Sequence, residues 1–101
     1  MPVEAYLDAL DRHEALPIIK ALSAIELYGL DEPLIQTRAL RDKLWELKLG
    51  RHRLFYVLDT GPTLVLLHAC KKQSQKARKP DVDLAISRMR KVIAAASSRR
   101  P

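Results

Sequence analysis

Five basic side chains lie at the ends of three consecutive predicted strands, where their chemistry suits a phosphate group. They are Lys48, Arg51, Arg53, Lys71 and Lys72. In an antiparallel meander, the end of the first strand, the start of the second and the end of the third lie at one edge of the sheet. We therefore expect these side chains to converge there. Guanidinium groups bind phosphate oxygens bidentately and stabilise the additional charge of a pentavalent transition state, so the spacing predicts a phosphate-binding edge.

Proton transfer at such an edge would permit a metal-free reaction on RNA, in which the 2′-hydroxyl attacks its own 3′ phosphate. The side chains that could exchange the proton are His52, His68, Glu46, Tyr56 and a lysine whose pKa falls in so basic a cluster. His52 stands between two arginines, which favours phosphate contact or positioning over a role as base. His68 and Tyr56 lie in apolar runs, where packing is the commoner role, and Glu46 most often pairs with a neighbouring base. The general base is left open.

Charge is distributed unevenly along the 101 residues. Residues 1–37 carry two bases and seven acids, a net charge of −5, whereas residues 38–101 carry sixteen bases and five acids, a net charge of +11. A basic half attracts polyanions such as nucleic acids, although a basic surface that serves solubility alone is the alternative. Segment 71–79 has five bases and no acid, and we predict that it contacts RNA through Lys71, Lys72, Lys76 and Arg78.

Composition argues against several classes of protein. The three glycines are isolated, which excludes a glycine-rich phosphate loop, and the three histidines fall on different predicted elements. Cys70 is the only cysteine, so no intramolecular disulfide and no cysteine-rich zinc site can form. We predict neither a metal nor another cofactor. No apolar run approaches the roughly 20 residues of a membrane span. Near the N-terminus the chain carries the acids Glu4 and Asp8, where a signal peptide would carry Lys or Arg. We therefore expect a cytoplasmic protein without membrane contact.

Helical periodicity predicts two N-terminal helices and one C-terminal helix. The first opens at Pro2, the second begins near Pro17 and ends at Gly29, and the last opens at Pro80 and Asp81. Apolar residues recur at helical spacing in each of them. The charged segment 31–43 is broken by a proline, which predicts a connector with at most a short helical turn.

From position 44 the pattern changes to that of strands. Residues 44–49 alternate, 54–58 form an apolar run typical of a strand covered on both faces, and 63–70 form a third strand. Gly50 and the triplet 51–53 are predicted to connect the first two strands, and residues 59–62 to form a hairpin turn. We predict a single α+β domain, 1–101, with two N-terminal helices packed on a small antiparallel meander, 44–70, and a C-terminal helix.

The stretch 43–57, KLWELKLGRHRLFYV, resembles the phage-derived RelE/HigB-like toxins, whose members carry a similar strand pair followed by a strand ending in histidine and a Lys-Lys…Gln-Lys loop. Here those later pieces are 66–72 and 75–76. The first and last helices are similar too. The resemblance implies the RelE/ParE superfamily of type II toxin–antitoxin toxins, with a compact α+β fold and cleavage of messenger RNA on the translating ribosome. It also implies neutralisation by an antitoxin, often a helix-turn-helix protein.

The same resemblance implies roles for particular residues. Arg53 matches the arginine commonly assigned to the scissile phosphate. Lys48 matches a position where RelE-like toxins carry strand lysines. Lys71 and Lys72 match a basic pair that follows the strand in this family. With Arg51 and His52, these residues form the predicted catalytic and RNA-binding set.

The chain departs from the family pattern because it opens at Met1-Pro2-Val3 without a strand before the first helix, and because its 71–80 loop is longer than usual. Two other functions are left open. One is a ParE-like toxin that inhibits a topoisomerase without RNA chemistry, and the other is an inactive relative that binds RNA or a partner.

Overall fold

The computed structural model describes residues 2–29, 36–41, 43–58, 64–72 and 77–98. In chain order the elements are α1 (Pro2–Ala9), α2 (Arg12–Tyr28), β1 (Gln36–Arg41), β2 (Leu44–Leu49), β3 (His52–Leu58), β4 (Leu64–Lys71) and α3 (Lys79–Ser98). The predicted α+β class, with two N-terminal helices, an antiparallel meander and a C-terminal helix, is confirmed. None of the described helices combines the length and apolar character that a membrane crossing requires.

Helix α2 begins five residues before the predicted start at Pro17. Asp11 is its N-cap, and the Asp11 carboxylate accepts a hydrogen bond from the Glu14 amide at 3.1 Å. A capping aspartate at this position satisfies an amide that the helix leaves unpaired, so it fixes the start more strongly than the proline does. The C-terminal prediction holds, since Gly29 adopts φ +83° and its amide donates to the Ile25 carbonyl at 2.8 Å.

The sheet has four strands in the order β1-β2-β3-β4, all antiparallel. The first of them corrects the prediction of a connector over 31–43, and the meander begins at residue 36 instead of 44. β1 lies at the edge of the sheet and is exposed at all positions except Leu40, so its sequence lacks the apolar alternation that identifies a half-buried strand. Residues 31–35, and the predicted hairpin turn at 59–62, lie outside the described residues.

A β-bulge interrupts the pairing between β3 and β4. Phe55 pairs with His68 and Tyr56 with Leu66, which leaves Leu67 as an additional residue on β4. Leu67 packs in the cluster beneath α3, and the His68 ring stacks on Phe55 of that cluster at a centroid distance of 5.8 Å. The bulge therefore brings two consecutive side chains to the α3 side.

Helices cover the sheet on both faces, and β3 is buried on both, as its apolar run predicted. On one face, Leu47, Leu54 and Tyr56 pack with residues of α1 and α2. On the other, Phe55 and Val57 pack with residues of α3. The end of the sheet where β2 turns into β3 carries the predicted basic residues.

Candidate functional site

The strand register brings the predicted basic residues to one end of the sheet. Lys48 of β2 lies opposite Arg53 of β3, and His52 lies opposite Lys71 of β4. The Lys72 amide donates a hydrogen bond of 2.5 Å to the Arg51 carbonyl, which continues the pairing beyond the strands. Arg78 is exposed just before α3, and Lys76 lies outside the described residues.

Alternation along the strands divides these side chains between the two faces of the sheet. His52 is directed to the α1/α2 face, whereas Arg53 is directed to the α3 face with Lys48 and Glu46. The predicted connection over residues 50–53 is shorter than expected. Only Gly50, at φ +59°, and Arg51 form the turn, and His52 already belongs to β3. A two-residue turn with glycine at positive φ suits the twist of a hairpin.

On the α3 face, Arg53 and Glu46 form a buried ion pair. The Arg53 guanidinium donates to Glu46 Oε2 at 3.3 Å, and these two residues are 2% and 1% exposed. Lys48 approaches the other oxygen, Oε1, at 3.8 Å and is 26% exposed. Burial of two charges is tolerated only because each neutralises the other. In this arrangement the Arg53 guanidinium does not reach solvent, so a phosphate bound at the surface would contact Lys48 before it contacted Arg53.

Between α2 and the β2–β3 turn there is an open pocket of about 400 Å³. Three of the four predicted catalytic residues line it, namely Lys48, Arg51 and His52. Its apolar wall comes from Pro17, Ile18 and Leu49, and Glu14 is the acid among its lining residues. At the rim, Lys71 Nζ lies 3.6 Å from the Glu14 carboxylate and is about half exposed.

His52 is held in the pocket by a tyrosine from α1. The Tyr6 hydroxyl lies 2.7 Å from His52 Nδ1, and the two rings meet edge to face at 5.7 Å. Burial raises the pKa of Tyr6 to about 12, so its hydroxyl stays protonated and donates a hydrogen bond to Nδ1. Burial also lowers the pKa of His52, an effect that Glu14 opposes and Lys71 and Arg51 reinforce. His52 is therefore neutral at pH 7, with its proton on Nε2.

The other proposed proton carriers have structural partners. His68 Nε2 lies 2.8 Å from an Asp81 oxygen, and Tyr56 is 1% exposed and packs in the α1/α2 core. Sequence reasoning missed Tyr6 and Glu14, because both reach the site from N-terminal helices distant in sequence. Their helical spacing gave no sign that they face the basic strand ends.

An antiparallel sheet covered by helices on both faces, with basic side chains around a pocket at one end, defines a small α+β protein. Residues 5–90 match the family described as phage derived protein Gp49-like (DUF891), and the chain belongs to this family. It is a toxin-like family of toxin–antitoxin systems. No curated protein matches the sequence.

Proposed function

We propose that the protein is the toxin of a type II toxin–antitoxin system and a RelE/HigB-like, ribosome-dependent endoribonuclease that cleaves translated messenger RNA. The observation that carries this proposal is the pocket at the β2–β3 turn, where Lys48, Arg51 and His52 meet beside an apolar wall. Two cations and a neutral histidine within one pocket can bind a phosphate and exchange a proton. The toxin-like family adds independent support.

The proposed reaction is an internal transesterification of the RNA. The 2′-hydroxyl gives up its proton as its oxygen attacks the adjacent phosphorus, the bond to the 5′-oxygen breaks, and that oxygen takes up a proton. The products are a 2′,3′-cyclic phosphate and a 5′-hydroxyl, with no net change in protons. Arg51 and Lys48 would stabilise the negative charge that grows on the non-bridging oxygens. Because Tyr6 occupies Nδ1, His52 presents Nε2–H to the phosphate or to the departing oxygen, a role of hydrogen-bond donor.

Arg53 is proposed to act indirectly. Its burial against Glu46 favours a positioning role, in which the ion pair sets where Lys48 extends at the pocket edge. Direct contact between Arg53 and the scissile phosphate, which the resemblance implied, would require the Glu46 pair to open.

RNA on either side of the cleaved bond would follow the exposed bases. Lys71 and Lys72 continue from β4 next to the pocket, and Arg78 lies before α3. Lys76 belongs to the same proposed track. Each neutralised phosphate releases counterions, so binding along this track would weaken steeply with salt.

The proposed partners are the translating ribosome with its messenger RNA and a cognate antitoxin of helix-turn-helix type. An acidic antitoxin segment that covers the basic end would neutralise its charge and exclude RNA in one step. This arrangement is favoured over docking of a basic antitoxin on the acidic N-terminal half.

The test is induced expression of the full chain in a bacterial host, with growth recorded and a translated transcript mapped by primer extension. The expected result is growth arrest with cleavage of the transcript at a fixed position within codons. These cuts should disappear when translation is blocked. Growth arrest with intact transcripts and DNA breaks would replace this proposal with the topoisomerase-inhibiting one. Normal growth with verified folded protein would leave an inactive relative that binds RNA or a partner.

A further inference from the structure

Three side chains of the types that bind zinc meet on the α3 side of the sheet, apart from the pocket. His68 and Cys70 lie two residues apart on β4, and Asp81 lies in the first turn of α3. One nitrogen, one sulfur and one carboxylate oxygen from these residues lie within 4.8 Å of one another. We propose that they form a binding site for a divalent transition metal ion, with Zn²⁺ as the best match. This proposal does not depend on the RNA-cleaving function.

The donor set and its spacing both suit zinc. Zinc binds cysteine sulfur, histidine nitrogen and carboxylate oxygen at about 2.0–2.3 Å, which places neighbouring tetrahedral donors about 3.3–3.8 Å apart. The 2.8 Å contact between His68 Nε2 and Asp81 Oδ1 would lengthen by about half an ångström to admit the ion, given those bond lengths. Three protein donors leave the fourth position to water.

The surroundings of the three residues are neither fully buried nor open. His68 and Asp81 are 16% and 21% exposed, and Cys70 is half-buried. An ion can therefore enter from solvent, while Phe55 stacked on the His68 ring limits how far that ring can turn. The thiolate and the carboxylate would together balance the two positive charges of the ion.

Arg88 of α3 affects which ring nitrogen of His68 carries the hydrogen, and metal binding would require that hydrogen to move. In the metal-free protein the Arg88 guanidinium lies 3.3 Å from His68 Nδ1, so Nδ1 accepts and Nε2–H donates to Asp81. Metal binding at Nε2 displaces that proton and moves the ring hydrogen to Nδ1. Arg88 would then keep only its 2.9 Å bond to the Leu67 carbonyl. Arg88 thus opposes metal binding, and it sets the affinity below that of a site with an acceptor at Nδ1.

The bound ion would connect two layers of the fold. His68 and Cys70 belong to β4 and Asp81 to α3, so a metal held by all three would fix the start of α3 against the sheet. The prediction of no metal rested on the absence of a histidine pair at metal-binding spacing and on the single cysteine. Asp81 comes from a different element, and only the packing of α3 on β4 brings it to His68 and Cys70.

The test is titration of the full-length, reduced protein with Co²⁺ and then with Zn²⁺. We expect one Co²⁺ per chain, a thiolate-to-cobalt charge-transfer band, loss of the band when Zn²⁺ is added, and a higher melting temperature with Zn²⁺. Cys70→Ala should remove both the band and the thermal shift. Asp81→Asn, which can still accept a hydrogen bond from His68, should weaken Co²⁺ binding at least about tenfold.

His13→Gln is the matched control, because His13 is exposed on α2 and distant from the cluster, and it should bind Co²⁺ like the wild type. Arg88→Gln removes the opposing donor and should tighten binding by about tenfold. Absence of a one-to-one complex in the wild type would overturn the proposal. So would a complex that Asp81→Asn leaves unchanged, or cobalt held between the cysteines of two chains.

Discussion

The two faces of the sheet place the same kinds of residue, arginine and histidine, in different surroundings. On the α1/α2 face, His52 and its neighbours border an open pocket, and the cations there remain within reach of solvent. On the α3 face, Arg53 is buried against Glu46, and His68 is held between Asp81 and Arg88. His52 and Arg53 are adjacent in sequence, yet the strand directs them to opposite faces of the sheet.

This difference indicates that charge type alone does not decide which cation can bind a phosphate, because access to solvent and the distance to the nearest carboxylate also differ between the faces. Arg51 is exposed in a turn and has no carboxylate within ion-pair distance among the described residues. Arg53 has one at 3.3 Å. A phosphate gains more from the first than from the second, because binding at Arg53 must also displace a carboxylate.

The largest effect should come from breaking the buried pair. Arg53→Ala leaves the Glu46 carboxylate buried without its guanidinium, and we expect a loss of about 3–5 kcal/mol in the free energy of unfolding, measured with urea. The control is the double variant Glu46→Leu with Arg53→Met, which removes both charges. Its free energy of unfolding should be at most about 1 kcal/mol below that of wild type, or should exceed it. Equal stability of wild type and Arg53→Ala would show that this face does not depend on the pair.

The next effect concerns the pocket face and should appear in activity alone. Arg51→Ala removes an exposed guanidinium, so stability should not change, while the cleavage rate should fall by about 10²–10³-fold. Arg90→Ala, exposed on α3, is the matched control and should cleave normally. A comparable loss in both variants would point to general charge attraction instead of a localised site.

Tyr6→Phe tests how the pocket holds its histidine. Without the hydroxyl, buried His52 Nδ1 loses its donor, and the free energy of unfolding should decrease by about 1–3 kcal/mol. Tyr28→Phe should have no effect, because Tyr28 is 72% exposed. If both variants unfold at the same urea concentration as wild type, the 2.7 Å contact contributes no stability.

The proposed RNA track should be visible in the salt dependence of binding to single-stranded RNA. Lys71→Ala and Lys72→Ala should each reduce the slope of log affinity against log salt by about 0.7. Arg38→Ala on the exposed edge strand β1 should leave the slope as it is. If Arg38→Ala reduced the slope by as much as Lys71→Ala does, RNA would bind to positive charge anywhere on the protein.

The smallest effect is a dependence of stability on pH through His52. Its pKa is lowered in the folded protein, so the unfolded chain binds the proton more readily and stability falls as the pH drops through 6.5. Lys71, Arg51 and Tyr6 face the ring with Glu14, which opposes the shift. Urea unfolding at pH 7.5 and 5.5 should show a smaller difference for His52→Gln than for wild type. An unchanged difference would assign the acid sensitivity to other groups.

The fold was predictable where burial imposes a period on the sequence. Residues 54–57 of β3 form an apolar or aromatic run because helices cover both faces of the strand, and α3 begins within one residue of the predicted Pro80. β1 was missed because an exposed edge strand requires no apolar period. The start of α2 was predicted five residues late, because proline is typical of a helix start but Pro17 lies inside this helix, whose N-cap is Asp11.

The candidate site was predictable only in part. Strand topology alone led us to expect the basic residues at one sheet end, and the register brings them there. Which of them are accessible depends on Glu46 and on helices packed above each face. The partners Tyr6 and Glu14, and the approach of Asp81 to His68, arise from tertiary packing, which a local pattern does not encode.

The most direct test of the central claim compares two double variants for growth arrest and for ribosome-dependent cuts in a translated transcript. We predict that Lys48→Ala with Arg51→Ala, which removes the two cations that line the pocket, abolishes arrest and cleavage while its urea unfolding matches wild type. We predict that Glu46→Leu with Arg53→Met, on the α3 side, folds and retains arrest and cleavage at a reduced rate, because it removes the positioning of Lys48 but leaves Arg51 and His52 in place. The account is contradicted if the folded α3-side variant loses cleavage while the pocket variant retains it.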